Sequence, residues 1–159
     1  MASDLQRTIV YLDNHETRIR RLETQEVGLG IFGGKFAWAF QFGEDGGGVV
    51  ADLARIGPVR IPEGITSVTL DKISMMATLS GSIIFKVMSA SFGTAIASFT
   101  EVSSASDRPS LSSARSGTKT SFTSWDLIWA SGDELFVEVV GAATTIEQVV
   151  FQMEGNIQA

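Results

Sequence analysis

The sequence predicts a mainly β chain, an antiparallel β-sandwich behind a short N-terminal α-helical coiled coil that makes the protein a homotrimer. Three observations predict it. Glycine is frequent, at 16 residues against 3 prolines, and serine and threonine are plentiful; that mixture suits short strands joined by many turns. From Lys35 onward the apolar residues recur with period two, the spacing that lines one face of a strand. Before Gly28 the period is that of a helix, with Leu5, Leu12 and Ile19 at heptad position a and Thr8, His15 and Leu22 at d. The chain therefore divides into a stalk (1–27), a Gly-rich neck (28–34) and a β domain (35–159).

In the stalk, Ser3 or Asp4 can cap the helix, and Asp4 suits its positive end. Arg18 falls at g and Glu23 at e, so in a parallel bundle the guanidinium reaches Glu23 of the next chain. Its aliphatic stem covers the Ile19/Leu22 layer on the way. The spacing Arg-apolar-x-x-apolar-Glu resembles the trimerisation motif of short three-stranded coiled coils. The alternative is a solvated surface helix with one intrachain ion pair. So short a helix needs its neighbours, or the domain behind it, to persist.

Gly28-Leu29-Gly30-Ile31-Phe32-Gly33 matches G-x-G-x-x-G. A dinucleotide site needs a strand before that motif and a helix after it. Here the order is inverted, and the glycines read as a neck. Phe36, Trp38, Phe40 and Phe42 then share one face of a strand, with Ala37, Ala39 and Gln41 on the other. Such a stripe packs into a core or against a neighbouring subunit; left exposed, it would stack on sugar rings.

Glu44 to Gly48 is a loop, and Val49 to Ile56 an apolar segment read as a strand. Pro58 to Pro62 suits an edge, where a missing N–H is tolerated. Ile65 to Ile73 is a strand that Met75 to Leu79 continues or flanks; Ser80-Gly81 is expected to turn the chain, and Ser82 to Met88 forms the strongest central strand. Ser89 to Ser121 is rich in Ser, Thr, Ala and Gly; Phe92, Ile96 and Phe99 within it suit a short helix or an ordered loop, Asp107 to Leu111 a crossing between sheets, and Ser116-Gly117 a turn. A strand region opens at Phe122, with Trp125 and Trp129. Ser131 to Glu134 is a turn, Leu135 to Val139 a strand, and Ile146 to Glu154 a last strand with Val149, Phe151 and Met153 facing in.

Composition narrows the function. Hydrophobic residues make up 44% and charged residues 19%, a globular balance. No run approaches the ~20 apolar residues that span a bilayer. Met1 to Leu5 lacks a signal-peptide core, so the chain is expected to be made in a cytoplasm and to leave by assembly or lysis. With no cysteine there is no disulfide, thiolate metal site or cysteine nucleophile. A net charge of −6, with Arg18, Arg20 and Arg21 the only basic run, speaks against a nucleic-acid partner.

From about Gly48 to Gly155 the chain resembles a jelly-roll module of tail-fibre and other virion proteins of tailed bacteriophages. The matching residues are Gly57 to Pro62, Ile65 to Leu70, Ser80 to Val87, Arg108 to Ala114, Phe122 to Trp125, Ala130 to Val139 and Thr144 to Met153. The Ser131-Gly132-Asp133 turn with its strand is the most specific piece. The chain departs from the pattern at Glu134, Phe136 and Trp129, positions that bear on packing. The resemblance implies a jelly-roll sandwich and a place on a virion, and it includes no catalytic motif. It does not extend to the N-terminal helix.

No enzyme, cofactor or metal is expected. His15, the only histidine, would face the trimer axis, where three copies either set register or share an ion. The carboxylates Glu44, Asp45, Asp52, Asp71, Asp126, Asp133, Glu134 and Glu138 are scattered; a glycosidase needs two at a fixed separation across a cleft. The Glu44–Asp45 loop lacks an EF-hand pattern. The expected function is structural: a homotrimeric small fibre, spike or head-decoration protein that binds itself through Leu5, Leu12, Arg18, Ile19, Leu22, Glu23, Phe36, Trp38 and Phe40. Its other partners would be capsid or tail proteins. The competing reading is a receptor- or carbohydrate-binding adhesin module that touches a host-surface glycan. A cytoplasmic β-sandwich of other role is the third.

Overall fold

The computed structural model describes residues 28–32 and 34–158. Leu5, Leu12, His15, Arg18, Ile19, Leu22 and Glu23 lie outside these, and so do the expected coiled coil and trimer contacts of the N-terminal segment.

The described chain is almost entirely antiparallel strand, folded into a curled, sandwich-like arrangement with only two short 3₁₀ turns. The strands are β1 (Gly28–Phe32), β2 (Lys35–Gly43), β3 (Arg55–Arg60), β4 (Ser67–Ser91), β5 (Thr100–Glu101), β6 (Ser110–Lys119), β7 (Ile128–Ala130), β8 (Asp133–Val139) and β9 (Gln148–Gln158). One layer runs β1-β2-β9-β4, with β6 and β7 on the far side of β4. The other runs β3-β8-β4, with β5 beyond.

The strand β4 belongs to both layers, and this corrects the expected turn at Ser80-Gly81. The chain does not reverse there. It bends, with register shifts against β6 on either side of Gly81. A Cβ on Gly81 would lie 2.0 Å from the Thr144 carbonyl oxygen and 2.5 Å from Thr145 Oγ1. The glycine serves a close backbone approach rather than a turn. Ser116-Gly117 likewise lies within β6, where Gly117 faces Leu111 and Met75. Val49 to Ala54 is a loop; the strand begins at Arg55 and forms the outer edge of its layer, as its proline suggests. The expected neck also differs: Gly28–Phe32 pairs with β2 from Gly28↔Ala39 to Phe32↔Lys35.

The core lies between the layers. Phe36, Trp38, Phe40 and Phe42 all point into it and are buried within one chain. The burial their alternation demands is therefore met without a second subunit. Phe85, from the far layer, packs on Phe42 at 5.3 Å and on Phe151 at 4.9 Å between ring centroids. Each such ring stabilises the fold by about 1.5–3 kcal/mol. Val149, Phe151 and Met153 face inward as the alternation predicts. The strand β8 is buried on both faces: Phe136 and Glu138, opposite Leu135, Val137 and Val139, lie beneath Phe99, Arg55 and Lys86.

Candidate functional site

The open surface with most chemistry is the outer face of the β2-β9-β4-β6 layer. Because β2 and β9 send their apolar side chains inward, the alternate residues form this face. Register brings them into rows. Ala37, Glu154 and Lys72 stand across β2, β9 and β4. Ala39, Gln152, Ser74 and Thr118 form the next row, out to β6, and Gln41, Val150, Met76 and Ser116 the third. Two shallow depressions lie in the face. One is walled by Lys35, Asp71, Lys72 and Glu154; the other by Ser74, Met76, Ser116 and Thr118. Gln152 borders both, so they lie side by side on this face, and together they are called the trough. At about 4.8 Å per strand, four strands make it about 14 Å across.

Its two cations and two carboxylates sum to zero, and each has a hydrogen-bond partner. Lys35 Nζ donates to Asn156 Oδ1 at 3.1 Å, and Asn156 Nδ2 donates to Asp71. A register shift between Leu70 and Lys72 brings Asp71 to that contact. Lys72 Nζ reaches both oxygens of Glu154 at 3.2 Å, and Gln152 Nε2 donates to Glu154 Oε1 at 3.1 Å. The groups that remain are the Gln152 carbonyl and the hydroxyls of Ser74, Ser116 and Thr118. Met76, 69% exposed, is the largest apolar contact on the face.

Few residues singled out from the sequence lie here. Phe36, Trp38 and Phe40 are on the reverse side of β2, in the core. Among the described residues the only aromatic in the exposed large apolar set is Phe92, which lies elsewhere under the Arg60 guanidinium, 3.8 Å from its ring centroid. Several of the carboxylates have structural partners. Asp133 accepts from Ala130 N at 2.8 Å and closes its turn, as expected; Asp52 accepts from Leu53 N and Gly141 N; Glu138 holds Arg55 and Lys86. Among the described residues no group of three or more His, Cys, Asp or Glu is placed to hold a metal ion. The G-x-G-x-x-G run is followed by strand β2, not by the helix a nucleotide site needs. Sequence reading missed the trough, although its signal was present in the outward set Ala37, Ala39, Gln41, Val150, Gln152 and Glu154.

No protein-family model matches the chain, and no curated protein matches it. Solved structures resemble it in outline. The N-terminal cellulose-binding domain of Cellulomonas fimi β-1,4-glucanase C is 16% identical over 82% of each chain, with a TM-score of 0.36. A structure described as "CBM4 structure and function" is 17% identical over 84% of this chain and 88% of that one, with a TM-score of 0.30. A structure of infectious bursal disease virus, Gx strain, is 11% identical over 77% of this chain and 34% of that one, with a TM-score of 0.28. Likeness at this level carries no functional argument.

Proposed function

We propose that the chain is a non-catalytic recognition module on the virion of a tailed bacteriophage, and that its trough binds a neutral saccharide of the host surface. One observation carries the reading: every charged side chain lining the trough already has a hydrogen-bond partner in this chain, Lys72 with Glu154 and both Lys35 and Asp71 with the Asn156 amide, leaving a line of uncharged donors and acceptors. A charged ligand would have to break those pairs and leave a partner unsatisfied. A polyhydroxylated neutral one adds hydrogen bonds without that cost. The virion setting is supported by the motif resemblance, and homotrimer formation by the heptads of residues 1–27.

The trough lacks an aromatic platform, so a single site is expected to bind weakly, with Kd near ~1 mM. A trimer presenting three such sites gains about 10²–10⁴ in avidity where all engage one surface. Weak sites and an assembling stalk suit each other.

A second reading has its own observation. Met76 stands open in mid-sheet beside Val150, a pairing that suits contact with another virion protein in a purely structural role. Affinity electrophoresis of the intact chain separates the two. The first reading expects retardation by a neutral glucan or galactomannan but not by an acidic polysaccharide, and its loss in Gln152→Ala/Thr118→Ala. Retardation by none of them contradicts it and leaves the structural role.

A further inference from the structure

We infer that the end of the β domain formed by residues 43–54, 77–84 and 140–147 is a docking surface for another protein, one that presents an apolar segment flanked by Lys or Arg. Register places its apolar residues. Arg55 pairs with Glu138 and Phe85 with Val139; just beyond, Leu53 N donates to Val139 O and Val140 N to Ile84 O. Leu53, Val140 and Ile84 therefore stand in one row across three adjacent segments, about 10 Å long at ~4.8 Å per strand. Leu53 is 64% exposed and Ile84 42%. A second pair flanks residues 144–147. Val49 precedes Val50, whose N–H donates to Ile146 O, and Leu79 precedes Ser80, whose carbonyl accepts from Thr145 Oγ1. Val49, Leu53, Leu79 and Ile84 are four of the eight exposed large apolar residues of the described chain.

Backbone strain singles out Leu53. Its φ is +59°, a left-handed conformation that is costly for leucine and easy for Asn or Gly. The loop nonetheless fixes it: Asp52 Oδ1 accepts from Leu53 N at 2.9 Å and from Gly141 N at 2.6 Å. A strained backbone that holds a leucine out in water suits a side chain used in a bound state. Charge names the occupant. The three segments carry Glu44, Asp45, Asp52 and Glu147 and no Lys or Arg. Asp52 and Glu147 accept backbone N–H groups, and among the described residues none of the four forms an ion pair. The bordering cations are Arg55 and Lys86, both engaged by Glu138, and Arg115, between the Gly81↔Ala114 and Met76↔Ser116 pairings. With these and Glu138 counted, the surface holds five carboxylates against three cations. A partner's Lys or Arg beside its apolar side chains meets carboxylates that have no cation of their own. A second copy of this chain, docked through the same face, would set those carboxylates against one another. The inference is independent of what the trough binds.

The test uses the full-length chain and short dye-labelled amphipathic peptides, read by fluorescence anisotropy. One peptide is built of Lys and Leu, a second replaces its Leu by Ser, and a third replaces its Lys by Glu. Only the Lys–Leu peptide is expected to bind. Leu53→Asn/Val49→Thr, which keeps every charge, and Glu44→Gln/Asp45→Asn, which keeps every apolar side chain, should each weaken it by about tenfold. Asn suits the left-handed backbone at position 53; Leu79→Thr/Ile84→Thr replaces that pair if it fails to fold. Phe92→Ser and Ile128→Ser are the controls and should bind as wild type, since Phe92 follows the end of β4 and Ile128 pairs with Thr69 at its start. Equal binding of the Lys–Ser peptide, unchanged affinity in the apolar pair, an equal loss in the controls or no binding overturns the inference. So does a solution mass by light scattering that falls in Leu53→Asn/Val49→Thr, which would give the surface to a second copy.

Discussion

Glu138, 2% exposed on the outer side of β8, is clamped between Arg55 and Lys86: Arg55 Nε donates to Glu138 Oε2 at 2.8 Å while Lys86 Nζ holds Oε1. Arg55 also lies over the Phe136 ring, 4.5 Å from its centroid, and Phe99 closes on that ring from the 92–109 excursion. This knot covers a sheet face that would otherwise be open. Glu138→Ala would strand two cations, each able to turn partly to water. It is expected to destabilise the domain by about 2–3 kcal/mol in urea unfolding. A loss within the error of the wild-type value would show that the clamp is ornamental.

Acid sensitivity follows from the same region. Hydrogen bonds from Arg108 lower the Glu101 carboxyl, reinforced by Ser103. Those from Lys119 and the Thr123 N–H lower Asp107. At Glu138 burial pushes upward, but the bonds from Lys86 and Arg55 outweigh it and the net direction is down. A carboxyl lowered in the folded state contributes stability that is complete above its unfolded pKa, about 4, and is lost as pH falls through the folded value. Stability should be level above about pH 5 and decline below about pH 4. Arg108→Gln should flatten the decline; an unchanged profile in that variant would contradict the role given to Glu101.

The bend in β4 depends on Gly81. Gly81→Ala places a methyl against the Thr144 carbonyl and is expected to cost about 2–4 kcal/mol. Gly46→Ala, where nothing lies within 4 Å but φ is +77°, should cost only about 1–2 kcal/mol of backbone strain. Thermal melts of the two variants check the order; equal losses would mean that the bend can relax.

Assembly is predicted to reside in the stalk. Because the aromatic stripe is spent in the core, Ile19→Asp should reduce the intact chain from a trimer to a monomer in light scattering without changing its β-sheet signal. A variant that stays trimeric would place assembly on the β domain.

Legibility in the sequence tracked locality. The period-two runs at Phe36–Phe42 and Val149–Met153 gave the correct inward faces, because strand geometry alone sets them. The Gly132-Asp133 turn was readable for the same reason: Asp133 closes it within four residues. Ser80-Gly81 and Ser116-Gly117 misled, since a glycine demanded by a partner far along the chain looks like a glycine demanded by a turn. The burial of Glu138 was not legible, because its cover, from Arg55, Lys86 and the Phe99 segment, comes from elsewhere in the chain. The trough needed register across four strands, which one-dimensional alternation does not supply.

The most direct measurement is a map of backbone amide shifts in the isotope-labelled intact chain, titrated with a neutral oligosaccharide that retards it in gels. The account predicts saturable shifts centred on Gln152, Ser74 and Thr118, with little change at Phe92 or across the β3-β8 layer. Shifts centred anywhere else, or none at millimolar sugar, would contradict the saccharide trough.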